Sequence, residues 1–329
     1  MKILKQILSV LMIGLFALVG CAESSGGKPE GDGGEDVKEE KTAKVVVISG
    51  QSNASGFTWS KCLKGKISDE RYERFENGFE NGLIYYSVDT IEEYGYTWSD
   101  GDTNTSGGKF VNVALGQGHT PERFGIEIGL CEKMAELAPE EKIYFIKCSW
   151  GSAGLSPDYY RDGVRMANFS SPSNENHANN SYWTKLVEVV HAGLEELKTV
   201  TGLPVEIVSL CWLQGEKDTV TSATANQYPK LLRNFVQDFR NEFSAYRGKK
   251  EIAFIDALLG DGDRNANGVL INEYKTWFAE QSPETNFIVE TTGLSYQTEP
   301  EEKPDPYHYD SLAMLELGSR FASILLNVI

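Results

Sequence analysis

A serine near one end of the chain and an Asp-x-x-His pair near the other contain the side chains needed for nucleophilic catalysis. Ser52 lies in GQSNAS, directly after an apolar β-branched run, and Asp305 and His308 lie in DPYHYDS. One turn of backbone can bring the Asp305 carboxylate to the imidazole. There it would fix the tautomer and stabilise the imidazolium that forms when the other ring nitrogen takes the serine proton. These residue types predict a serine nucleophile activated by a histidine.

Both stretches also fit a plain structural interpretation. Gly, Ser and Asn are common turn residues, and Ser311 could cap the helix that follows DPYHYDS. Asp310 is a second candidate acid for His308, although a residue two positions away usually points elsewhere. The choice therefore depends on what the rest of the chain supplies.

Two further polar stretches follow apolar runs in the middle of the chain. KCSWGSAGL (147–155) contains Gly151 and Gly154, which allow the backbone to approach a ligand closely. CWLQGEKD (211–218) contains Gln214, whose amide N–H groups can stabilise an oxyanion. Glu216 in the same stretch could be a sugar ligand, a triad acid or a structural acceptor.

The elements that must position these stretches alternate along the chain from residue 43. Apolar runs predict strands at 44–49, 83–88, 143–148, 205–212, 251–257 and 287–290, and helical periodicity predicts helices at 124–137, 183–197, 227–243, 269–278 and 311–328. This alternation indicates an α/β fold of three α/β/α layers with a central, mainly parallel sheet. Residues 57–120 are expected mainly as loops over one end of the sheet. Open sheets of this kind bind ligands beyond the carboxyl ends of their strands, where the four polar stretches lie.

The first 42 residues read as targeting and tether segments. Residues 1–20 have a basic start and a short apolar run, which is typical of a secretory signal peptide. The sequence LVGC resembles a bacterial lipobox, in which Cys21 becomes the lipidated first residue. Residues 21–42 are rich in Gly, Glu, Lys and Ser, which predicts a flexible tether before a folded domain at 43–329. We therefore expect an exported lipoprotein, anchored to a membrane and facing outward or the periplasm.

Composition excludes several classes of partner. The chain has 329 residues, 40% of them hydrophobic, and a net charge of −17. An acidic protein of this kind is not expected to bind nucleic acid, or any membrane except through its lipid anchor. Neutral sugars or small esters suit it better than polyanions. No cluster of His, Cys and Asp has convincing metal spacing, so neither a metal nor another cofactor is expected.

The order of these stretches resembles the SGNH hydrolase superfamily. The closest resemblance is to its sialate O-acetylesterase-like branch, which includes acetylxylan esterases of carbohydrate esterase family six. The matching stretches are GQSN (50–53), PERFGIEIG (121–129), IKCSWG (146–151), WLQGEKD (212–218) and DPYHYDSLAMLELGSRFA (305–322). The resemblance implies a flavodoxin-like fold and a serine esterase that removes O-acetyl groups from carbohydrates such as acetylated xylan or sialic acid.

The resemblance also implies the roles of individual residues. Ser52 would be the nucleophile, His308 the general acid and base, and Asp305 its orienting partner. The oxyanion hole would combine the backbone N–H of Ser52, a backbone N–H from the Gly151–Ser152 loop and the Gln214 side chain. Ser152 itself departs from the pattern, since the family often has a second glycine there. A backbone donor survives that change, but the freedom of the loop is reduced.

Substrate contacts are expected from residues beside these motifs. The candidates are Gln51, Asn53, Trp59, Trp150 and Glu216, with Trp98 as a third tryptophan that could pack on a sugar ring. His119 lies near the PERFG segment, where it either faces the site or packs elsewhere. Two alternatives stay open. One is another short-chain ester hydrolase or thioesterase on the same fold, and the other is a non-catalytic surface glycan-binding protein.

Overall fold

The computed structural model describes residues 41–89, 103–158, 160–161, 164–165, 168–175, 177, 182–263, 265–301 and 304–329. The signal peptide expected at 1–20, Cys21, most of the expected tether and Trp98 lie outside these residues. Within the described ranges, no helix is both long enough and apolar enough to span a bilayer. Residues Lys41–Ile329 fold as one compact unit.

Strands and helices alternate along most of the described chain. The strands are β1 (Ala43–Gly50), β2 (Thr58–Trp59), β3 (Phe79–Asp89), β4 (Thr103–Thr105), β5 (Val111–Val113), β6 (Arg123–Phe124), β7 (Ile143–Ser149), β8 (Tyr160–Arg161), β9 (Val164–Arg165), β10 (Val205–Leu213), β11 (Ala253–Ala257), β12 (Asn286–Val289), β13 (Tyr296–Gln297) and β14 (Asp305–Tyr309). The α-helices are α1 (Ser52–Ser55), α2 (Asp69–Asn77), α3 (Ile126–Leu137), α4 (Tyr182–Thr201), α5 (Ser222–Glu242), α6 (Ala266–Glu280) and α7 (Ser311–Leu325). A single 3₁₀ turn, Glu216–Thr219, follows β10.

The central sheet is mainly parallel. Its strands lie in the order β12, β11, β10, β1, β7, β3, all parallel, and β4 and β5 pair antiparallel with β3 at one edge. Apart from β3, the parallel strands have the flavodoxin-like order, with the first strand between the second and the third. The order reverses at β1, and open sheets of this type form their ligand crevice beyond the carboxyl end of the strand where this happens. The α/β fold expected from the sequence is confirmed.

Helices cover both faces of the sheet because its central strands are apolar on both sides. In β1, Val46 and Ile48 pack into the core beneath α3 and α7, whereas Val45 and Val47 pack into the core beneath α4 and α5. Alternate side chains of a strand point to opposite faces, so one apolar run serves two cores.

The expectation that 57–120 is mainly loop is wrong in part. Besides the expected β3, this range contains β2, α2, β4 and β5. Helix α2 begins after Ser68, whose hydroxyl accepts the N–H of Arg71 at 3.2 Å, and it buries Tyr72 and Phe75. Helix α5 begins five residues before its expected start, because Thr221 caps it by accepting the N–H of Thr224 at 3.1 Å.

Candidate active site

Ser52 lies at the carboxyl end of β1, in the crevice where the sheet order reverses. The chain leaves β1 at Gly50 and enters α1 at Ser52, which is 8% exposed. Gly50 has φ +138°, and a Cβ there would lie 2.1 Å from the carbonyl oxygen of Leu213. Only glycine fits this close approach of β1 to β10. The sharp turn that results presents the serine at the carboxyl end of this central strand.

Asp305 and His308 form a hydrogen-bonded pair on β14. The Asp305 Oδ2 atom lies 2.6 Å from His308 Nδ1, and Asp305 Oδ1 accepts the N–H of Tyr307 at 3.1 Å. Burial alone would raise the pKa of Asp305, but the hydrogen bond and charge of His308 outweigh it and hold that pKa below its ordinary value. The carboxylate therefore stays ionised at neutral pH and keeps the imidazole proton on Nδ1, which leaves Nε2 as the base. The residues expected to pair do so, although on a short strand and not in a helical turn.

Contacts from the segment after α1 hold β14 beside the serine. Cα atoms of α1 and β14 approach within 8 Å. Thr58 Oγ1 donates to the carbonyl oxygen of Tyr309 at 2.8 Å. The Phe57 ring stacks on His308, with centroids 4.5 Å apart, and on His119, with centroids 4.0 Å apart. His119, which is 1% exposed, thus lies behind Phe57 and supports His308 through that ring.

A buried ion pair supports the PERFGIEIG segment, residues 121–129. Lys147 Nζ lies 2.8 Å from Glu127 Oε2 and donates to the carbonyl oxygen of Gln117 at 2.9 Å. Glu127 Oε1 also accepts the N–H of Gly125 at 2.7 Å. Burial lowers the pKa of Lys147, and the charge of Glu127 opposes that change. The pair fixes the loop before α3 to β7, which explains why a polar motif occurs at the start of an apolar helix.

The loop after β7 places Gly151 and Ser152 next to the end of β1. The N–H of Trp150 donates to the carbonyl oxygen of Gly50 at 3.2 Å. Ser152 is exposed and has φ +56°, in the left-handed region that favours glycine. A serine at this position is therefore strained.

The Gln214 side chain, which is expected to donate to the oxyanion, donates to protein acceptors in this structure. Its Nε2 atom donates to Asp218 Oδ2 at 2.6 Å and to the carbonyl oxygen of Ala153 at 3.1 Å. A primary amide has two N–H protons, and the acceptors near Nε2, which are these two atoms and Gln51 Oε1 at 3.5 Å, all belong to the protein. Gln214, 1% exposed, links the loop after β7 to the loop after β10.

Asp218 was not singled out by the sequence. Its carboxylate is 1% exposed and accepts the N–H groups of Leu155 at 2.9 Å and Ser156 at 3.1 Å, in addition to Gln214. Burial raises the pKa of Asp218 to about 6, although these donors oppose the shift. The only signal in the sequence was its place four residues after Gln214, at the end of the WLQGEKD match.

Gln51, Asn53 and Glu216 contact one another's loops. Gln51 Oε1 accepts the N–H of Lys217 at 3.1 Å, and Asn53 Nδ2 donates to Glu216 Oε1 at 3.1 Å. Gln51 and Asn53 are 5% and 3% exposed, and they join the start of α1 to the loop after β10; their expected contact with substrate stays a prediction. Glu216 accepts from Asn53 through Oε1, and its expected contact with substrate stays a prediction.

Asp310 does not serve as the acid of His308. Its Oδ1 atom accepts the N–H of Ala313 at 2.8 Å and caps α7. Ser311, the expected cap, donates its hydroxyl to the carbonyl oxygen of Cys62 at 3.0 Å. The structure therefore leaves Asp305 as the partner of His308.

The two described tryptophans of the motif loops lie in different environments. Trp59 is half-buried, with the Arg123 guanidinium 4.1 Å and the Lys61 ammonium 5.5 Å from its ring centroid. Trp150 is 1% exposed and stacks on Tyr182, with centroids 4.6 Å apart. The expected sugar contact at Trp150 is therefore wrong, because this side chain belongs to the core. Trp59 remains a candidate.

Comparison with known proteins gives a family match over most of the chain. The model of a family described as carbohydrate esterase, sialic acid-specific acetylesterase, matches residues 100–327. Among curated proteins, none matches this chain significantly.

Three solved structures share the fold. An Arabidopsis thaliana protein, 14% identical, covers 87% of this chain and 99% of its own with a TM-score of 0.57. NanS, also 14% identical, covers 88% of this chain and 98% of its own with a TM-score of 0.57. A carbohydrate acetylesterase from Xanthomonas citri, 13% identical, matches 86% of this chain and 56% of its own with a TM-score of 0.52.

Proposed function

Because the chain belongs to the sialic acid-specific acetylesterase family of carbohydrate esterases, we propose that Ser52, His308 and Asp305 carry out its reaction. The protein is a carbohydrate O-acetylesterase, and this membership removes the non-catalytic alternative. The observation that carries the assignment is the 2.6 Å contact of Asp305 with His308 Nδ1 on a strand held against the helix of Ser52.

The reaction passes through an acetyl-enzyme. His308 Nε2 takes the Ser52 hydroxyl proton as the serine oxygen bonds to the acetyl carbonyl carbon. The bond from that carbon to the sugar oxygen then breaks, and His308 gives the proton to that oxygen, which leaves as a hydroxyl. Water next gives a proton to His308 as its oxygen bonds to the acetyl carbon. The bond from that carbon to the Ser52 oxygen then breaks, acetate leaves, and His308 returns the proton to Ser52.

Backbone N–H groups provide the oxyanion hole in this proposal. The hole consists of the N–H of Ser52 and an N–H from the Gly151–Ser152 loop. No side chain among the described residues caps the first turn of α1, so the N–H of Ser52 is available there. Gln214, whose amide protons are directed at Asp218 and Ala153, fixes the spacing of the hole and does not line it.

Trapping the acetyl-enzyme tests this assignment. A short incubation with 4-nitrophenyl acetate, quenched in acid and digested, should give one acetylated peptide that contains Ser52. The Ser52→Ala protein is the matched control and should give none. Acetylation at another residue that turns over at the catalytic rate would overturn the assignment.

We also propose that the mature protein begins at a lipidated Cys21 and is exported. Supporting features are the basic and apolar residues 1–20, the LVGC sequence and the polar segment that follows. Mass spectrometry of the amino-terminal peptide from the membrane fraction should find the lipid on Cys21. A membrane-bound protein whose Cys21 carries no lipid would contradict the proposal.

A further inference from the structure

Two loops flank Ser52, and one carboxylate joins them. Strands β7 and β10 lie on either side of β1, and each ends in a loop beside the serine. Asp218 in the second loop accepts the N–H groups of Leu155 and Ser156 in the first. It also accepts the amide of Gln214 at the end of β10. The Asp218 carboxylate, together with the contact of the Gln214 amide with Ala153, thus sets the separation of the loops.

This arrangement is costly. Taking a carboxylate out of water is unfavourable unless its oxygens are well hydrogen-bonded. Burial makes the ionised form of Asp218 less favourable than in water. A neutral side chain would fill the same volume without that cost, so packing alone does not account for a carboxylate here.

Gln214 is fixed from its other side as well. Its backbone carbonyl oxygen accepts from Lys275 Nζ at 2.6 Å and from the Tyr228 hydroxyl at 3.2 Å. Lys275 in turn lies 2.7 Å from Asp256 and is fully buried. The backbone and the amide of Gln214 are therefore both held, and Asp218 is the link from this fixed point to the loop of Gly151 and Ser152.

We propose that Asp218 is a positioning residue that sets the geometry of the oxyanion hole. It acts through Gln214 and the N–H groups of Leu155 and Ser156, and it does not touch substrate. This inference rests on the proposed acetyl-enzyme reaction at Ser52.

A positioning role predicts a particular kinetic signature. The hole binds the oxyanion of the transition state and not the ground-state ester, so its displacement should lower kcat and leave KM nearly unchanged. Asp218→Asn keeps the shape of the side chain but points an NH₂ group at donors. We expect kcat to fall about 100-fold, as when one hole donor is lost.

A double-mutant cycle with Gln214→Ala separates positioning from general destabilisation. If both residues act on the same loop, the double variant should be about as slow as the slower single variant. Additive losses in kcat would overturn the proposal. So would wild-type kcat in folded Asp218→Asn.

Glu132→Gln is the matched control. Glu132 is also largely buried, at 8% exposure, and its hydrogen bonds run to Arg71 and Arg74 on α2. We expect that variant to lose stability and keep kcat. If Asp218→Asn does not fold, Asp218→Ser, which leaves room for water, is measured in its place by the same criteria.

Ser52→Ala is assayed in parallel to separate this inference from the proposed function. Activity in Ser52→Ala would overturn the serine mechanism. An inactive Ser52→Ala together with a fully active Asp218→Asn would overturn only the role of Asp218.

Discussion

Asp305 Oδ2 and His308 Nδ1 lie 2.6 Å apart on β14, three residues from each other in the chain. Their contact fixes the tautomer of the imidazole, and Phe57 stacks on its ring at 4.5 Å. One hydrogen bond and one ring contact therefore define the orientation of the His308 imidazole.

Replacing Asp305 with Asn should impair the chemical step. The amide favours the wrong tautomer of His308 and does not stabilise the imidazolium, so we expect kcat to fall about 10³- to 10⁴-fold with KM little changed. Steady-state kinetics with 4-nitrophenyl acetate measure both. Full activity in the folded variant would show that Asp305 is dispensable.

The two tryptophans should respond differently to alanine. Trp59→Ala is expected to raise KM and keep kcat, because a half-buried ring can pack on a sugar. Trp150→Ala removes a core side chain and should lower the free energy of unfolding by about 3–5 kcal/mol. Urea unfolding and kinetics on acetylated xylan distinguish them. A stable Trp150→Ala protein with a raised KM would restore Trp150 to the binding site.

Ser152 should tolerate glycine better than valine. Glycine removes the strain at φ +56°, although it also gives the unfolded chain more freedom. We therefore expect Ser152→Gly to keep kcat and to have a free energy of unfolding within about 1 kcal/mol of the wild-type value. Valine is strongly disfavoured in the left-handed region, so Ser152→Val should lower both kcat and the free energy of unfolding. Equal behaviour of the two variants would argue against a strained loop.

Asp218 should make stability depend on pH. Its pKa is raised from 3.8 to about 6, so the folded protein binds this proton more tightly than the unfolded chain. The resulting stabilisation is present below the unfolded pKa and is lost as pH rises through about 6. Relative to Asp218→Asn, the wild type should lose up to about 3 kcal/mol between about pH 4 and about pH 7. Parallel stability curves for the two proteins would contradict this.

Apolar periodicity was sufficient to predict the central strands and the long helices. A buried parallel strand such as β1 is a continuous apolar run, and α4 carries an apolar stripe along its length. Helix α2 was missed because only Tyr72 and Phe75 of its nine residues reach the core. Strand β14 was missed because Pro306 and Asp305 are typical of turns.

The order of motifs predicted which loops lie at one end of the sheet, but it did not predict the direction of each side chain. The Gln214 amide points to Asp218 because a carboxylate four residues later lies within reach. Trp150 directly follows β7 and is still inside the core. Such directions depend on contacts between loops that are far apart in the chain, and sequence patterns do not encode them locally.

The most direct test of Ser52 as the nucleophile is acetate release by the wild-type protein and by Ser52→Ala, from 4-nitrophenyl acetate and from acetylated xylan. The wild type should release acetate, and the folded variant should lose activity on every ester that the wild type cleaves. Equal activity of the two proteins would show that Ser52 is a turn residue and that the nucleophile lies elsewhere.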